Sequence, residues 1–292
     1  MSLLQAILLG IVQGLTEFIP ISSTAHLVIA GRVMKLALTP EQLTASIAVI
    51  QLGTLVAVII YFAGDIWNIT RAFVNDHLVL LKDGRRDQFN RKNDHARLSH
   101  EAKLGWLVII GSLPVGVVGL IFKKQIEGTF TKNLWVIATM MVVIALLLAV
   151  AELVGKKRRR MQDLGVGDAL AVGFAQCLAL IPGSSRSGST IMGGLFAGET
   201  RETAARFSFL LSMPAIAASG LLELKQAVHV LPQGSLVTLA VGTVVSGIVG
   251  YASIWFLLRF LRTHTTGIFI GYRLIVGTAI LLMLFSGRVS PL

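Results

Sequence analysis

Apolar residues in this chain cluster into long runs, and the lengths of those runs decide its class. Six runs, at about 45–61, 104–122, 134–153, 204–224, 236–258 and 268–285, approach the ~20 residues an α-helix needs to cross a bilayer. Two other stretches, 1–20 and 169–182, are apolar but short, and each ends at an Ile-Pro. Beyond each proline the pattern is helix-like again for a short distance only. Residues 3–34 and 168–198 therefore read as re-entrant helical hairpins, whose broken backbone is tolerated at membrane depth where it lines a cavity. The predicted fold is an all-α polytopic membrane protein: about six transmembrane helices plus two re-entrant helical hairpins, in one integral membrane domain over 1–292.

Composition agrees with this. Of 292 residues, 54% are hydrophobic and 14% charged, against roughly 25% charged in soluble domains. Mean hydropathy is +0.76. The first stretch lacks a basic leader and is interrupted by Glu17, so it does not read as a cleavable signal. Cys177 is the lone cysteine, which excludes an internal disulfide and a cysteine-based metal cluster.

The net charge of +11 falls largely in two loops, 65–103 and 155–167, the second carrying Lys156, Lys157, Arg158, Arg159 and Arg160. Such placement reads as positive-inside topology with membrane lipids as partners, and not as nucleic-acid binding. With both loops cytoplasmic, the turn 123–133 lies outside. The first hairpin then enters from the outer face and the second from the inner face. That is the pattern of an inverted-topology repeat: repeat one about 1–122, repeat two about 133–286. The loop 65–103 itself reads as a cytoplasmic helical hairpin or linker. Its His77, His95 and His100 are scattered among charges as a solvated face. The sequence also aligns with itself: Gly10 to Gln13 matches Gly173 to Gln176 and, with one residue of gap, Ile19 to Ser23 matches Ile181 to Ser185.

Both hairpin turns carry chemistry. In IPISSTAH (19–26), a helix starting near Ser22 places Ser23 and His26 at i and i+3 on one face, a hydroxyl beside an imidazole. Glu17 and Gln13, four residues apart, share a face of the preceding half-helix. Capping by Ser22, Ser23 and Thr24 explains the hydroxyls, but not a carboxylate midway through apolar sequence. In IPGSSRSGST (181–190), Ser184, Ser185, Ser187 and Thr190 surround Arg186 among glycines, which suits a phosphate cradle. Close helix packing explains the glycines and leaves Arg186 without an anion, which is either substrate or Glu17. No Gly-Lys-Ser/Thr ends the loop, so it is not a Walker A motif. These residues alone imply a membrane protein handling a phosphate group, as enzyme or as transporter.

The two motifs, GLTEFIPISSTAH (14–26) and PGSSRSG (182–188), resemble those of the undecaprenyl-pyrophosphate phosphatase family, the bacitracin-resistance type. The resemblance extends over nearly the whole chain, including Gln51-Leu52-Gly53 and Arg206-Phe207-Ser208-Phe209-Leu210. It implies an enzyme of the bacterial plasma membrane that hydrolyses undecaprenyl pyrophosphate to the monophosphate carrier and phosphate for cell-wall synthesis. The chamber would open to the outer face. It implies Ser23 as nucleophile, His26 in proton transfer, Glu17 as essential carboxylate and Arg186 as phosphate clamp. Ser22, Thr24, Ser184, Ser185, Ser187, Thr190, Gln13 and Gln51 would bind substrate around them. Gln13 stands where some members carry a second glutamate, and Ala25 where many carry glycine.

Glu17 repels a pyrophosphate unless it is protonated, holds a positive partner, or binds Mg²⁺ or Ca²⁺. A divalent ion on Glu17 is the simplest of the three, and no organic cofactor is implied. Two other readings stay open: a lipid-phosphate transporter or flippase using the same site, and an intramembrane serine protease built on Ser23 and His26. The small residues of 242–250 offer a packing face within the chain or in a homodimer.

Overall fold

The computed structural model describes residues 1–83, 98–122, 133–231 and 235–291, and among them eleven α-helices and no strand. In chain order these are α1 (Leu3–Phe18), α2 (Ser23–Val33), α3 (Pro40–Tyr61), α4 (Ala63–Asp83), α5 (His100–Ile121) and α6 (Leu134–Val154). There follow α7 (Val166–Cys177), α8 (Arg186–Phe196), α9 (Arg201–Val230), α10 (Leu236–Leu261) and α11 (Gly267–Phe285). Six of them, α3, α5, α6, α9, α10 and α11, are long and apolar enough to cross a membrane, each close to a run predicted above. Their outward apolar side chains, such as Leu120 on α5, Leu153 on α6 and Ile275 on α11, are mostly exposed, as lipid-facing residues should be. The chain is a multi-pass membrane protein.

Local signals place the helix starts. Ser2 with Gln5 and Thr39 with Gln42 form reciprocal capping boxes at α1 and α3, and Pro40 follows Thr39 where its missing N–H costs nothing. At 11 residues each, α2 and α8 rise roughly 16 Å, about half the hydrocarbon thickness. Each turns back on its preceding helix, forming the two hairpins.

The hairpins share one register. Leu3 and Val166, Ser23 and Arg186, and Val33 and Phe196 bound equivalent helices and stand 163 residues apart. Gln13 with Gln176 and Ser22 with Ser185 keep that spacing, so the one-residue gap in the sequence alignment is not used. Pro20 corresponds to Gly183, not to Pro182. The N-cap serine fixes where each second helix starts, and Gly183, at φ +91°, absorbs the displaced proline.

Packing between halves repeats too. On α1, a Cβ at Gly10 would strike the carbonyl oxygen of Gly242 on α10; on α7, one at Gly173 would strike that of Gly111 on α5. Each hairpin thus lies against a spanning helix from the other half of the chain. The 242–250 face is consumed in this way, against α1 and against Gly53 of α3, where Ser246 Oγ donates to Ile50 O at 2.6 Å. Small residues permit this approach, which in lipid is a main source of helix association.

Of the loop 65–103, residues 65–83 belong to α4, which packs on α5 through Phe73, His77 and Trp106. His77 accepts from Trp106 Nε1 at 3.1 Å, a packing role. His95 and most of the outer turn lie outside the described residues.

Candidate active site

Two half-helix starts meet at one guanidinium. Arg273, about two turns into α11, is fully buried. It donates from Nη1 to Pro20 O (3.4 Å) and from Nη2 to Gly183 O (3.0 Å), Ser184 O (3.1 Å) and Met140 O (3.3 Å). Its Nε donates to Met141 O at 3.2 Å. One side chain therefore ties the equivalent breaks of both hairpins to α6. Sequence reading passed over Arg273, although a lone arginine in the middle of a spanning run is itself a signal.

Beyond the breaks, Ser22 and Ser185 cap α2 and α8 from the left-handed region, at φ 79° and 67°. Their hydroxyls accept from Ala25 N (3.4 Å) and Gly188 N (3.2 Å). A non-glycine residue held there costs roughly 1–3 kcal/mol and is typical of functional turns. The backbone N–H groups at both helix starts carry partial positive charge suited to an anion.

Glu17 and Arg186 join the hairpins directly: Arg186 Nη2 lies 3.3 Å from Glu17 Oε1. Gln13 Nε2 donates to Glu17 Oε2 at 3.0 Å and Gln51 Nε2 to Oε1 at 3.5 Å. Of the three ways to hold Glu17 beside a pyrophosphate, the structure contains the positive partner. Arg186 Nη1 is buried with no acceptor, and so are the hydroxyls of Ser184 and Ser189. Buried donors without partners are rare and costly, so these three groups are free to take an acceptor.

Other predicted residues are already engaged. Thr190 donates to Arg186 O at 2.7 Å and meets Ser208 Oγ at 2.5 Å, while Ser185 and Ser187 hydroxyls lie 3.2 Å apart. Ser23 is the first residue of α2, half-buried, and Thr24 is exposed. Among the described residues no hydrogen bond joins Ser23 to His26. Instead His26 donates from Nδ1 to Ser22 O at 2.7 Å, leaving Nε2 as acceptor for Tyr272 OH at 2.6 Å. The carbonyl at Ser22 assigns that tautomer, since it can only accept.

Across from Glu17 and Arg186, α9 contributes Ser208, Phe209, Ser212 and Ile216 to the chamber wall. The free space there is about 10 Å³, roughly one water. Ser208 and Ser212, one helical turn apart, were not singled out as site residues from sequence. Among the described residues no three His, Cys, Asp or Glu side chains converge as a metal cluster.

A family profile described as "Bacitracin resistance protein BacA" matches residues 6–279. The chain belongs to the bacitracin resistance protein BacA family. It is 51% identical over 287 residues to a protein of Syntrophobacter fumaroxidans, covering 98% of each chain. It is 47% identical to one of Chlorobium luteolum and 45% to one of Mycolicibacterium gilvum, over the full length of both partners in each comparison. All three relatives carry the name "Undecaprenyl-diphosphatase".

Proposed function

We propose that this chain is an undecaprenyl-diphosphatase, hydrolysing undecaprenyl pyrophosphate to undecaprenyl phosphate and inorganic phosphate. One observation carries the reading: Arg186 holds Glu17 with one nitrogen and keeps the other buried and unpartnered, beside two half-helix starts. That arrangement fits a phosphate oxyanion, and full-length relatives at 45–51% identity are named for this hydrolysis and not for carriage or proteolysis.

In this reading the isoprenoid tail stays in lipid while the pyrophosphate reaches the chamber from the outer face of the bacterial plasma membrane. Arg186 Nη1, Ser184, Ser189 and the helix-start N–H groups gather the negative charge. Ser23 Oγ attacks the terminal phosphorus, and the bond to the bridging oxygen breaks, releasing undecaprenyl phosphate. His26 accepts the seryl proton at Nε2 after leaving Tyr272. Water then hydrolyses the phosphoserine, releasing phosphate and restoring Ser23. Positioning and charge neutralisation supply most of the rate in such transfers.

Gln13 Oε1 is a buried acceptor without a donor next to Glu17, and the two side chains offer the oxygen ligands that a hard cation takes. Glu17 and Gln13 would hold Mg²⁺ or Ca²⁺, which would supply further neutralisation of the pyrophosphate.

The test is phosphate release from undecaprenyl pyrophosphate by detergent-purified protein, wild type beside Ser23→Ala and Arg186→Ala, with and without EDTA. Loss in both variants supports the reading. Near-wild-type turnover by Ser23→Ala removes Ser23 as nucleophile, and folded wild type without release removes the hydrolase. Unchanged turnover in EDTA removes the cation.

A further inference from the structure

On the face carrying the basic segment 155–161, a separate cleft of about 540 Å³ opens where α6 ends, α9 begins and α10 ends. Five cations line it: Lys157 and Arg160 from the segment after α6, Arg201 and Arg206 from α9, and Arg262 just beyond α10. Three carboxylates answer them. Glu152 takes Arg201 and Lys157, Asp65 takes both contacts of Arg206, and Glu202 takes Arg262. The Asp163 carboxylate accepts from the Arg160 backbone N–H at 2.9 Å, but the Arg160 guanidinium has no carboxylate partner among the described residues, so the cations of the cleft outnumber its carboxylates. The start of the 30-residue α9 opens into it, adding the helix dipole.

The cleft is distinct from the candidate active site. Both use α9, but Arg206 faces the cleft while Ser208 and Ser212 line the chamber. Between them Phe209 packs edge-to-face on Phe18 and tilted against Phe62, with ring centroids 5.3 and 6.3 Å apart, and Arg206 lies over Phe62. Leu153 and Val154, at the end of α6, are strongly exposed beside it, so the cleft sits at the level where hydrocarbon gives way to headgroups.

We propose that this cleft is a second anion site, binding a phosphate group presented by an anionic lipid headgroup or as free inorganic phosphate. Arginine forks suit phosphate oxygens, and a basic pocket between spanning helices on the positively charged side is where anionic headgroups lie. The apolar edge favours the headgroup. The inference does not depend on the hydrolase reading.

The test uses the full chain in detergent with two probes: phosphatidylglycerol against phosphatidylcholine, followed by native mass spectrometry, and inorganic phosphate, followed by calorimetry. Wild type should retain phosphatidylglycerol selectively, and Arg160→Ala combined with Arg262→Ala should weaken retention about tenfold or more. Both side chains are exposed, and an unchanged melting temperature verifies folding. Arg160→Lys with Arg262→Lys should keep most of the binding. Phosphate binding that is lost in the double alanine variant, without lipid selectivity, assigns the cleft to free phosphate and supports the anion site. Binding of neither probe, or binding equal in wild type and double alanine variant, overturns it.

Discussion

Replacing Arg273 with methionine tests whether the two hairpin breaks are held by one side chain. Methionine keeps the volume and removes every donor. Five carbonyl contacts at 3.0–3.4 Å are lost, and Pro20 O, Gly183 O and Ser184 O lose this donor at membrane depth. Breaking a buried charged network typically costs about 3–5 kcal/mol. At roughly 2–4 °C per kcal/mol for a chain of this size, the melting temperature should fall on the order of 10 °C. Arg273→Lys keeps the charge but has one donor head, and should recover part of that loss. The assay is scanning fluorimetry in detergent, run beside phosphate release. Arg273→Met should lose both stability and turnover, whereas Arg186→Ala should lose turnover and keep its melting temperature within a few degrees. A melting temperature unchanged in Arg273→Met would refute the staple.

Gly14→Ala would press its Cβ to 2.7–2.8 Å from Val249 Cβ, Gly250 N and Ser246 O, and should destabilise by about 1–3 kcal/mol; Gly271→Ala, in open space, should be neutral by the same melting assay. Tyr272→Phe removes the partner of His26 Nε2 and should leave phosphate release within about tenfold of wild type, while His26→Ala should cost a hundredfold or more. Glu199, between α8 and α9, is fully buried; burial and the nearby Asp168 push its carboxyl up to about 8, against the pull of Arg159. The folded chain therefore holds a proton that the unfolded chain loses near pH 4.5. The associated stability is present below that pH and is lost as pH rises towards 8; Glu199→Gln should flatten this dependence in melting curves.

Run length and interruption made the fold legible. Spans separated themselves by hydropathy, and the Ile-Pro before each serine cluster announced the two breaks. Glu17 and Arg186 were legible because an ion in an apolar run needs a partner, and each is the other's. Register was harder. The prolines invite an alignment that the structure replaces with one set by the N-cap serines, since a cap fixes a helix start while a proline only tolerates it. Contacts across distant helices left no local pattern: His26 with Tyr272, 246 residues away, and Arg273 with Pro20. Ser208 and Ser212 face the chamber only because α9 packs beside α8, which no spacing in the sequence specifies.

The proposed hydrolysis requires Glu17 and Arg186, from different hairpins, to act as one unit on phosphate. A double-mutant cycle on kcat/KM for phosphate release, with Glu17→Gln, Arg186→Gln and both together, measures that coupling. Each single change should cost roughly a hundredfold or more, and the double should cost little beyond the worse single, a coupling of about 2 kcal/mol or more. Losses that simply multiply would mean that the two residues work independently and that no joint phosphate site exists.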